Sequence, residues 1–155
     1  MEEAKPLTAV AEFHTTFKHP VLKDPAIPSR KRCDLRVSLI AEELKELQEA
    51  IDNNDIVEVA DALCDIQYVL SGAILEFGLG GKFKALFEEV QRSNMSKACK
   101  TEEEAQQTVA HYTALNQPCY YEREGDLYLV FRKEDNKTLK SVNYSPADLK
   151  KILEG

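Results

Sequence analysis

The chain has 155 residues, 43% hydrophobic and 30% charged, which is the composition of a soluble globular protein and not of a disordered segment. Its formal net charge of −7 argues against a nucleic-acid surface, because phosphate-backbone binding requires clustered Lys and Arg. The same charge leaves a nucleotide substrate open, since a divalent cation reverses the sign of the field locally.

Cysteine spacing and the apolar runs bear on localisation. The four cysteines are scattered and have no zinc or disulfide spacing, which predicts reduced thiols. The first residues are acidic and include no apolar segment, so we expect no signal peptide. The longest apolar run, about 66–79, is interrupted by Glu76 and is too short to span a bilayer. We therefore expect a cytoplasmic protein without a membrane partner.

The predicted elements begin with a helix over about residues 7–18, which ends at His19-Pro20. Residues 20–32 contain three prolines and a basic end, a pattern typical of an extended loop. A second helix is predicted from Asp34 to about Asn53. Its apolar residues have the spacing of a core-facing stripe: Val37, Ile40, Leu44, Leu47 and Ile51.

A third helix is predicted from Asp55 to Phe77, after the turn-forming Asn53-Asn54-Asp55 and before the helix-ending Gly78. It is apolar over most of its circumference and contains no Lys or Arg, so we expect it to be buried. Yet three acidic residues lie in one row along the helix: Glu58, Asp61 and Asp65.

A helix hairpin would bring Glu58 and Asp61 close to Glu43 and Glu46 of the second helix, each pair lying one turn apart. Buried carboxylates require partners, and the third helix has no base of its own. We interpret the cluster as a site for a divalent cation. Carboxylate oxygens favour Mg²⁺ or Mn²⁺. A di-iron bundle would need Glu-x-x-His motifs, which none of the three histidines provides.

The C-terminal third changes in composition. After a short amphipathic helix from Phe83, a helix capped by Thr101 is predicted to about Leu115. Strands at 119–124 and 127–133 form a hairpin around Gly125-Asp126, a third strand covers 138–144, and a terminal helix starts at Ser145-Pro146. The fold class is thus mainly α. We predict a helical bundle at 1–98 and a packed extension at 99–155.

The acidic motifs resemble those of the all-α nucleoside triphosphate pyrophosphohydrolases, which include MazG-like enzymes. These motifs are Glu42-Glu43-x-x-Glu46 and Glu58-x-x-Asp61. Two further stretches resemble the phosphoribosyl-ATP pyrophosphohydrolase-like branch in particular: Arg36-x-x-Leu39-Ile40-x-Glu42-Glu43 and Arg92-Ser93-Asn94-Met95-Ser96-Lys97. The resemblance covers about residues 7–97 and the final Asn143-Tyr144-x-Pro146-x-Asp148-Leu149. The resemblance implies a helical bundle that forms a homodimer or homotetramer and cleaves a (deoxy)nucleoside triphosphate to the monophosphate and pyrophosphate.

The same resemblance implies a role for each matching residue. Mg²⁺ would be held by Glu43, Glu46, Glu58 and Asp61. Glu42 would support these ligands or act as the base that orients water, while Asn94 and Lys97 would contact phosphate. Asp65 would have a supporting role only.

Three alternatives remain at this stage. The substrate could be phosphoribosyl-ATP, although the long loop and the extra C-terminal segment favour clearing of non-standard or surplus dNTPs. The chain could bind a nucleotide without turning it over. It could also be a helical interaction module whose acidic line pairs with a basic partner protein.

Overall fold

The computed structural model describes residues 2–155, which form six helices and one two-stranded antiparallel sheet. The helices are α1 (Pro6–Thr16), α2 (Arg30–Asp52), α3 (Ile56–Glu76), α4 (Phe83–Met95), α5 (Glu102–Ala114) and α6 (Leu149–Glu154). The strands are β1 (Cys119–Glu124) and β2 (Leu127–Arg132). The mainly α prediction with a C-terminal hairpin is confirmed. No helix within 2–155 has the length and apolar character needed to cross a membrane.

Contacts divide the chain into two compact units, residues up to Phe83 and Lys84–Gly155. In the first unit α2 and α3 form the predicted hairpin, and α1 packs on α3. The Asp55 side chain caps α3 by accepting hydrogen bonds from the amides of Val57 and Glu58, at 3.0 and 3.2 Å. The predicted functional division after residue 98 stays a prediction.

The start of α2 differs from the prediction. The helix begins at Arg30 and not at Asp34, so the basic segment assigned to the loop is helical. The Ser29 carbonyl accepts bonds from the amides of Arg32 and Cys33 and starts the first turn. This extra turn places Arg32 and Arg36 one turn apart on the helix, and both guanidinium groups reach Glu76 on α3.

The expected burial of α2 and α3 is wrong for the isolated chain. Val37 is 68% exposed and Ile56 is 77% exposed. Both belong to stripes of large apolar side chains with seven-residue spacing that remain exposed: Val37, Leu44 and Ile51 on α2, and Ile56, Leu63 and Leu70 on α3. The first unit packs its three helices around a small core, which leaves these apolar faces uncovered.

The proline-containing loop after α1 is held against the end of α3. The Leu22 amide donates to the Leu75 carbonyl at 3.0 Å, and the Ala26 amide donates to the Phe77 carbonyl at 3.1 Å. Gly78 ends α3 with φ +69°, and a Cβ placed there would lie 1.9 Å from the Asp24 carbonyl oxygen. Only glycine fits this crossing.

Replacing Gly78 with Ala is therefore expected to destabilise the protein by more than about 1 kcal/mol, because the new Cβ meets backbone and the positive φ is strained. Gly81→Ala is the matched control, since a Cβ at Gly81 meets nothing within 4 Å. We expect that variant to stay within about 0.5 kcal/mol of the parent. Denaturant unfolding measures both, and equal effects would contradict the close approach.

In the second unit, α5 packs on the β1–β2 hairpin around a core of Cys99, Ala105, Cys119, Val130 and Leu139. The Thr101 hydroxyl accepts from the Glu104 amide at 3.1 Å, as the capping prediction requires. The hairpin register runs from Cys119 opposite Arg132 to Glu124 opposite Leu127, with Gly125-Asp126 as its two-residue turn.

Two predictions for the C-terminal segment are wrong. Residues 138–144 make only an isolated bridge, Thr138 to Phe131, and not a third strand. Pairing stops there because the Ser141 side chain bonds to Glu104 and its carbonyl accepts the Tyr144 amide in a turn. The last helix is capped by Asp148 and not by Ser145, whose hydroxyl accepts a bond from Arg92 at 3.0 Å.

Candidate active site

An open acidic cavity of about 400 Å³ lies beside the turn of the α2–α3 hairpin. Three of the predicted metal ligands line it, Glu46 from α2 and Glu58 and Asp61 from α3. Glu49, Asn53 and Asp55 complete its polar wall. Glu46, Glu58 and Asp61 are exposed, so the premise that the α3 carboxylates are buried is wrong. The cavity nevertheless gathers residues of both acidic motifs.

The fourth predicted ligand, Glu43, is half-buried and is not part of that cavity wall. Its Oε2 atom is shielded from solvent and has no hydrogen-bond partner among the residues described. Burial raises the pKa of Glu43 above its ordinary value, and the negative charges of Glu46, Asp65, Glu42 and Asp61 raise it further. Glu43 therefore lies within electrostatic reach of both acidic motifs, and no residue in 2–155 forms an ion pair with it.

The carboxylates fit a divalent cation in their chemistry but not in their present arrangement. Within residues 2–155 no group of three His, Cys, Asp or Glu side chains is arranged to hold a metal ion. The negative charges of Glu46 and Asp61 act on Glu43, so carboxylates of both motifs lie within electrostatic reach of it. A buried carboxylate oxygen without a partner, beside further carboxylates, fits a hard cation such as Mg²⁺ or Mn²⁺.

The remaining predicted residues fall in different places. Glu42 is exposed on α2, and Asp65 is half-buried one turn beyond Asp61 on α3. Asn94 and Lys97 belong to the second unit, where the Lys97 Nζ donates to the Asn94 Oδ1 at 2.9 Å. Their proposed contact with phosphate stays a prediction.

The first unit contains a buried ionic cluster that was not predicted from the sequence. Glu76 is 1% exposed and accepts hydrogen bonds from Arg32 and Arg36, while Arg36 also contacts the buried His14. Burial raises the pKa of Glu76, but the hydrogen bonds from the two arginines outweigh it, and the pKa lies below its ordinary value. The sequence feature that could have indicated this cluster is Glu76 itself, a single acidic residue within an apolar run.

The hairpin of α2 and α3 has acidic motifs on both of its helices, the feature on which the resemblance to the all-α nucleotide pyrophosphohydrolases rests. A family model described as Phosphoribosyl-ATP pyrophosphohydrolase matches residues 10–94, which is more than half of the chain. The chain belongs to this family, part of the MazG-like all-α NTP pyrophosphohydrolase superfamily. The description of that family names a pyrophosphohydrolase.

The chain is also similar to an uncharacterized protein of Acanthamoeba polyphaga mimivirus, with 34% identity over 100 residues. The match covers 62% of this chain and 40% of the viral protein. The chain therefore spans less than half of the length of that relative.

Proposed function

We propose that this protein is a cytoplasmic, Mg²⁺-dependent pyrophosphohydrolase that converts (d)NTPs to (d)NMPs and pyrophosphate and removes surplus or non-standard nucleotides. The observation that carries the proposal is the buried, unpartnered Oε2 of Glu43 beside Glu46 and Asp61. A carboxylate in that setting is stabilised by a cation.

The four carboxylates Glu43, Glu46, Glu58 and Asp61 hold the ion in this proposal, with Mn²⁺ as a substitute for Mg²⁺. When bound, the ion polarises phosphoryl oxygens and neutralises charge on the leaving pyrophosphate. The acidic cavity by itself would repel a triphosphate, so the side chains bind substrate only after their own charge is compensated. Glu42 orients the attacking water, and Asn94 and Lys97 contact phosphate.

The second candidate substrate is phosphoribosyl-ATP, which the description of the matching family favours. Pyrophosphate release should be assayed with the four dNTPs, the four NTPs and phosphoribosyl-ATP, each with Mg²⁺ and with EDTA. The proposal expects Mg²⁺-dependent release from at least one dNTP at a higher kcat/KM than from phosphoribosyl-ATP. Binding without release from any compound would instead favour a non-catalytic nucleotide-binding protein.

Metal binding is expected to stabilise the fold through Glu43. At a free Mg²⁺ concentration 100 times Kd the gain is about 2.7 kcal/mol, or several degrees in Tm. Glu43→Gln should remove this gain and raise the Tm of the metal-free protein at neutral pH, because the unpartnered buried charge is gone.

The pH dependence follows from the raised pKa of Glu43. The folded state binds this proton more tightly than the unfolded chain, so the contribution of Glu43 to stability falls as pH rises through its folded pKa. Mg²⁺ should therefore stabilise the protein at neutral pH and lose its effect at acidic pH. Glu88→Gln, which alters an exposed pair with Lys84, is the control. An equal Mg²⁺ response in Glu43→Gln would contradict the assignment.

The exposed apolar stripes of α2 and α3 support the proposal of a homodimer or homotetramer. Side chains such as Val37 and Leu63 repeat along one face of each helix and leave apolar area in water. Association through these faces would remove that area from solvent.

We expect the parent to sediment as a dimer or larger species at micromolar concentration and the double variant Val37→Asp/Leu63→Asp to sediment as a monomer. Ile27→Asp is the control, because Ile27 is 81% exposed but lies in the loop before α2. Analytical ultracentrifugation distinguishes the outcomes. A monomeric parent, or dissociation by Ile27→Asp as well, would contradict the proposal.

A further inference from the structure

A second cavity of the first unit lies among α1, α2, α3 and the loop after α1, and has a volume of about 250 Å³. Its wall combines rings with cationic donors: Phe13, His14, His19 and Tyr68 supply the rings, and Arg32 and Arg36 the donors. Neither of the acidic motifs contributes to it.

The polar side of this cavity has more hydrogen-bond donors than acceptors. Arg32 and Arg36 share the single carboxylate of Glu76, which leaves one excess positive charge. Each guanidinium has five N–H groups, whereas a carboxylate has about four acceptor positions. The Nε of Arg36 is buried, and no partner for it exists in the described part of the chain. Arg36 as a whole is 7% exposed, so water does not readily satisfy it.

His14 adds no donor to this side. Its Nδ1 lies 2.9 Å from the Pro20 carbonyl oxygen, so that nitrogen carries the proton and Nε2 is left to accept from Arg36 at 3.4 Å. Burial lowers the pKa of His14, and the ring is therefore neutral at neutral pH. Arg32 and Arg36 are therefore the charged groups of the wall that offer N–H to a ligand, beside the ring N–H of His19.

The apolar side of the cavity is aromatic. The rings of Phe13 and His19 are nearly parallel at 17° with centroids 5.8 Å apart, and the Tyr68 ring meets Phe13 edge-on at 5.6 Å. Phe13 and Tyr68 each keep more than a third of their surface exposed. Partly exposed aromatic side chains can bind flat heterocycles by stacking.

The distance between this second cavity and the carboxylates of the acidic motifs fits the length of one nucleotide. Tyr68 follows Asp61 on α3 by about two turns, and Arg36 precedes Glu43 on α2 by about two turns, which is about 10 Å along each helix. A ligand lying along the hairpin would place a flat ring among the aromatics when its phosphates reach the acidic motifs.

We propose that this cavity binds the nucleobase of the substrate, and that its arginines select bases with carbonyl acceptors over adenine. An arginine matches the paired acceptors of guanine, whereas adenine places an amino donor beside its ring acceptor. This inference rests on the proposed function, because it assigns the base of the same nucleotide whose phosphates are cleaved.

Base binding can be measured apart from catalysis by titrating deoxynucleoside monophosphates into this protein in EDTA and following the binding by calorimetry. We expect dGMP to bind about tenfold more tightly than dAMP. Tyr68→Leu should weaken the binding of both about tenfold, because the stacking surface is lost. Arg32→Lys should remove the preference for dGMP. Arg30→Lys is the matched control on the same helix, since Arg30 pairs with Asp34 at the surface and is no part of the cavity wall.

The outcomes for base binding and for catalysis are distinguishable. Base-selective binding that depends on Tyr68, without Mg²⁺-dependent pyrophosphate release, would defeat the proposed function and keep the base site. The base site is overturned if no monophosphate binds at millimolar concentration, if dAMP binds as tightly as dGMP, or if Tyr68→Leu behaves like Arg30→Lys. If Arg32→Lys does not fold, the binding of dGMP and dAMP to the parent and to Tyr68→Leu still tests the base site.

Discussion

Replacing Glu46 with Gln is expected to lower Mg²⁺-dependent pyrophosphate release by about 100-fold or more while leaving the helices intact. Glu46 is exposed on α2 and lines the acidic cavity with Glu58 and Asp61, so its charge acts on the site and not on the core. An amide of the same shape keeps the packing but removes one anionic ligand. Electrostatic groups of this kind contribute about 10²–10³ to kcat. Steady-state kcat at saturating Mg²⁺, with circular dichroism of the same sample, measures both effects.

Glu49→Gln provides a control within the same cavity. Glu49 also lines that cavity, but its carboxylate is paired with Lys45 at 3.2 Å. We expect its kcat to stay within a few-fold of the parent. If both variants lost activity equally, the total charge of the cavity would matter and not the position of Glu46. Full turnover by Glu46→Gln would refute the assignment of the active site.

The hairpin and its caps were predictable because they depend on neighbouring residues. A helix cap needs only an acceptor side chain and the amides two or three positions later, and Asp55 provides this for α3. The Gly125-Asp126 turn and the strands beside it depend on equally local chemistry. Facing carboxylates then follow from helical spacing, so the gathering of Glu46, Glu58 and Asp61 at one cavity could be predicted from the acidic motifs.

Burial was not predictable by the same means. The composition of α3 indicates that its apolar side chains favour burial. It does not indicate whether residues of the same chain bury them, and Ile56 and Leu63 remain exposed. The metal hypothesis was therefore based on burial of the wrong carboxylates. The acidic group that is shielded and unpartnered is Glu43 at the edge of the α2 stripe. The environment of Glu43 depends on how α2 and α3 pack, and this packing cannot be predicted from a local sequence pattern.

The Glu76 cluster depends on contacts between distant parts of the sequence. Arg32 and Glu76 are 44 residues apart, and Arg36 and Glu76 are 40 apart. Arg32 reaches Glu76 from the helical turn that precedes Asp34, so this pairing accompanies the early start of α2. A prediction based on local pattern assigned that turn to the loop, since three prolines precede it.

Replacing Glu76 with Gln is expected to destabilise the first unit by about 3 kcal/mol at neutral pH. Removing one partner of a buried ion pair costs about 3–5 kcal/mol, because the other charge is left uncompensated. The side chain of Arg36 is 9% exposed, whereas that of Arg32 is 30% exposed and can be partly solvated, which places the effect at the lower end. Glu88→Gln, at an exposed pair, should change stability by less than about 0.5 kcal/mol.

The pH dependence of this loss identifies its cause. The folded pKa of Glu76 lies below its unfolded value, so its stabilisation is fully present above the unfolded pKa and disappears as pH falls through the folded pKa. The difference in denaturant midpoint between the parent and Glu76→Gln should therefore narrow once the pH falls below the unfolded pKa of Glu76. A difference that stays constant there would mean that the amide disturbs packing, and the ionic account of the cluster would be wrong. Narrowing would show that one ionised carboxylate stabilises two guanidinium groups in the core of the first unit.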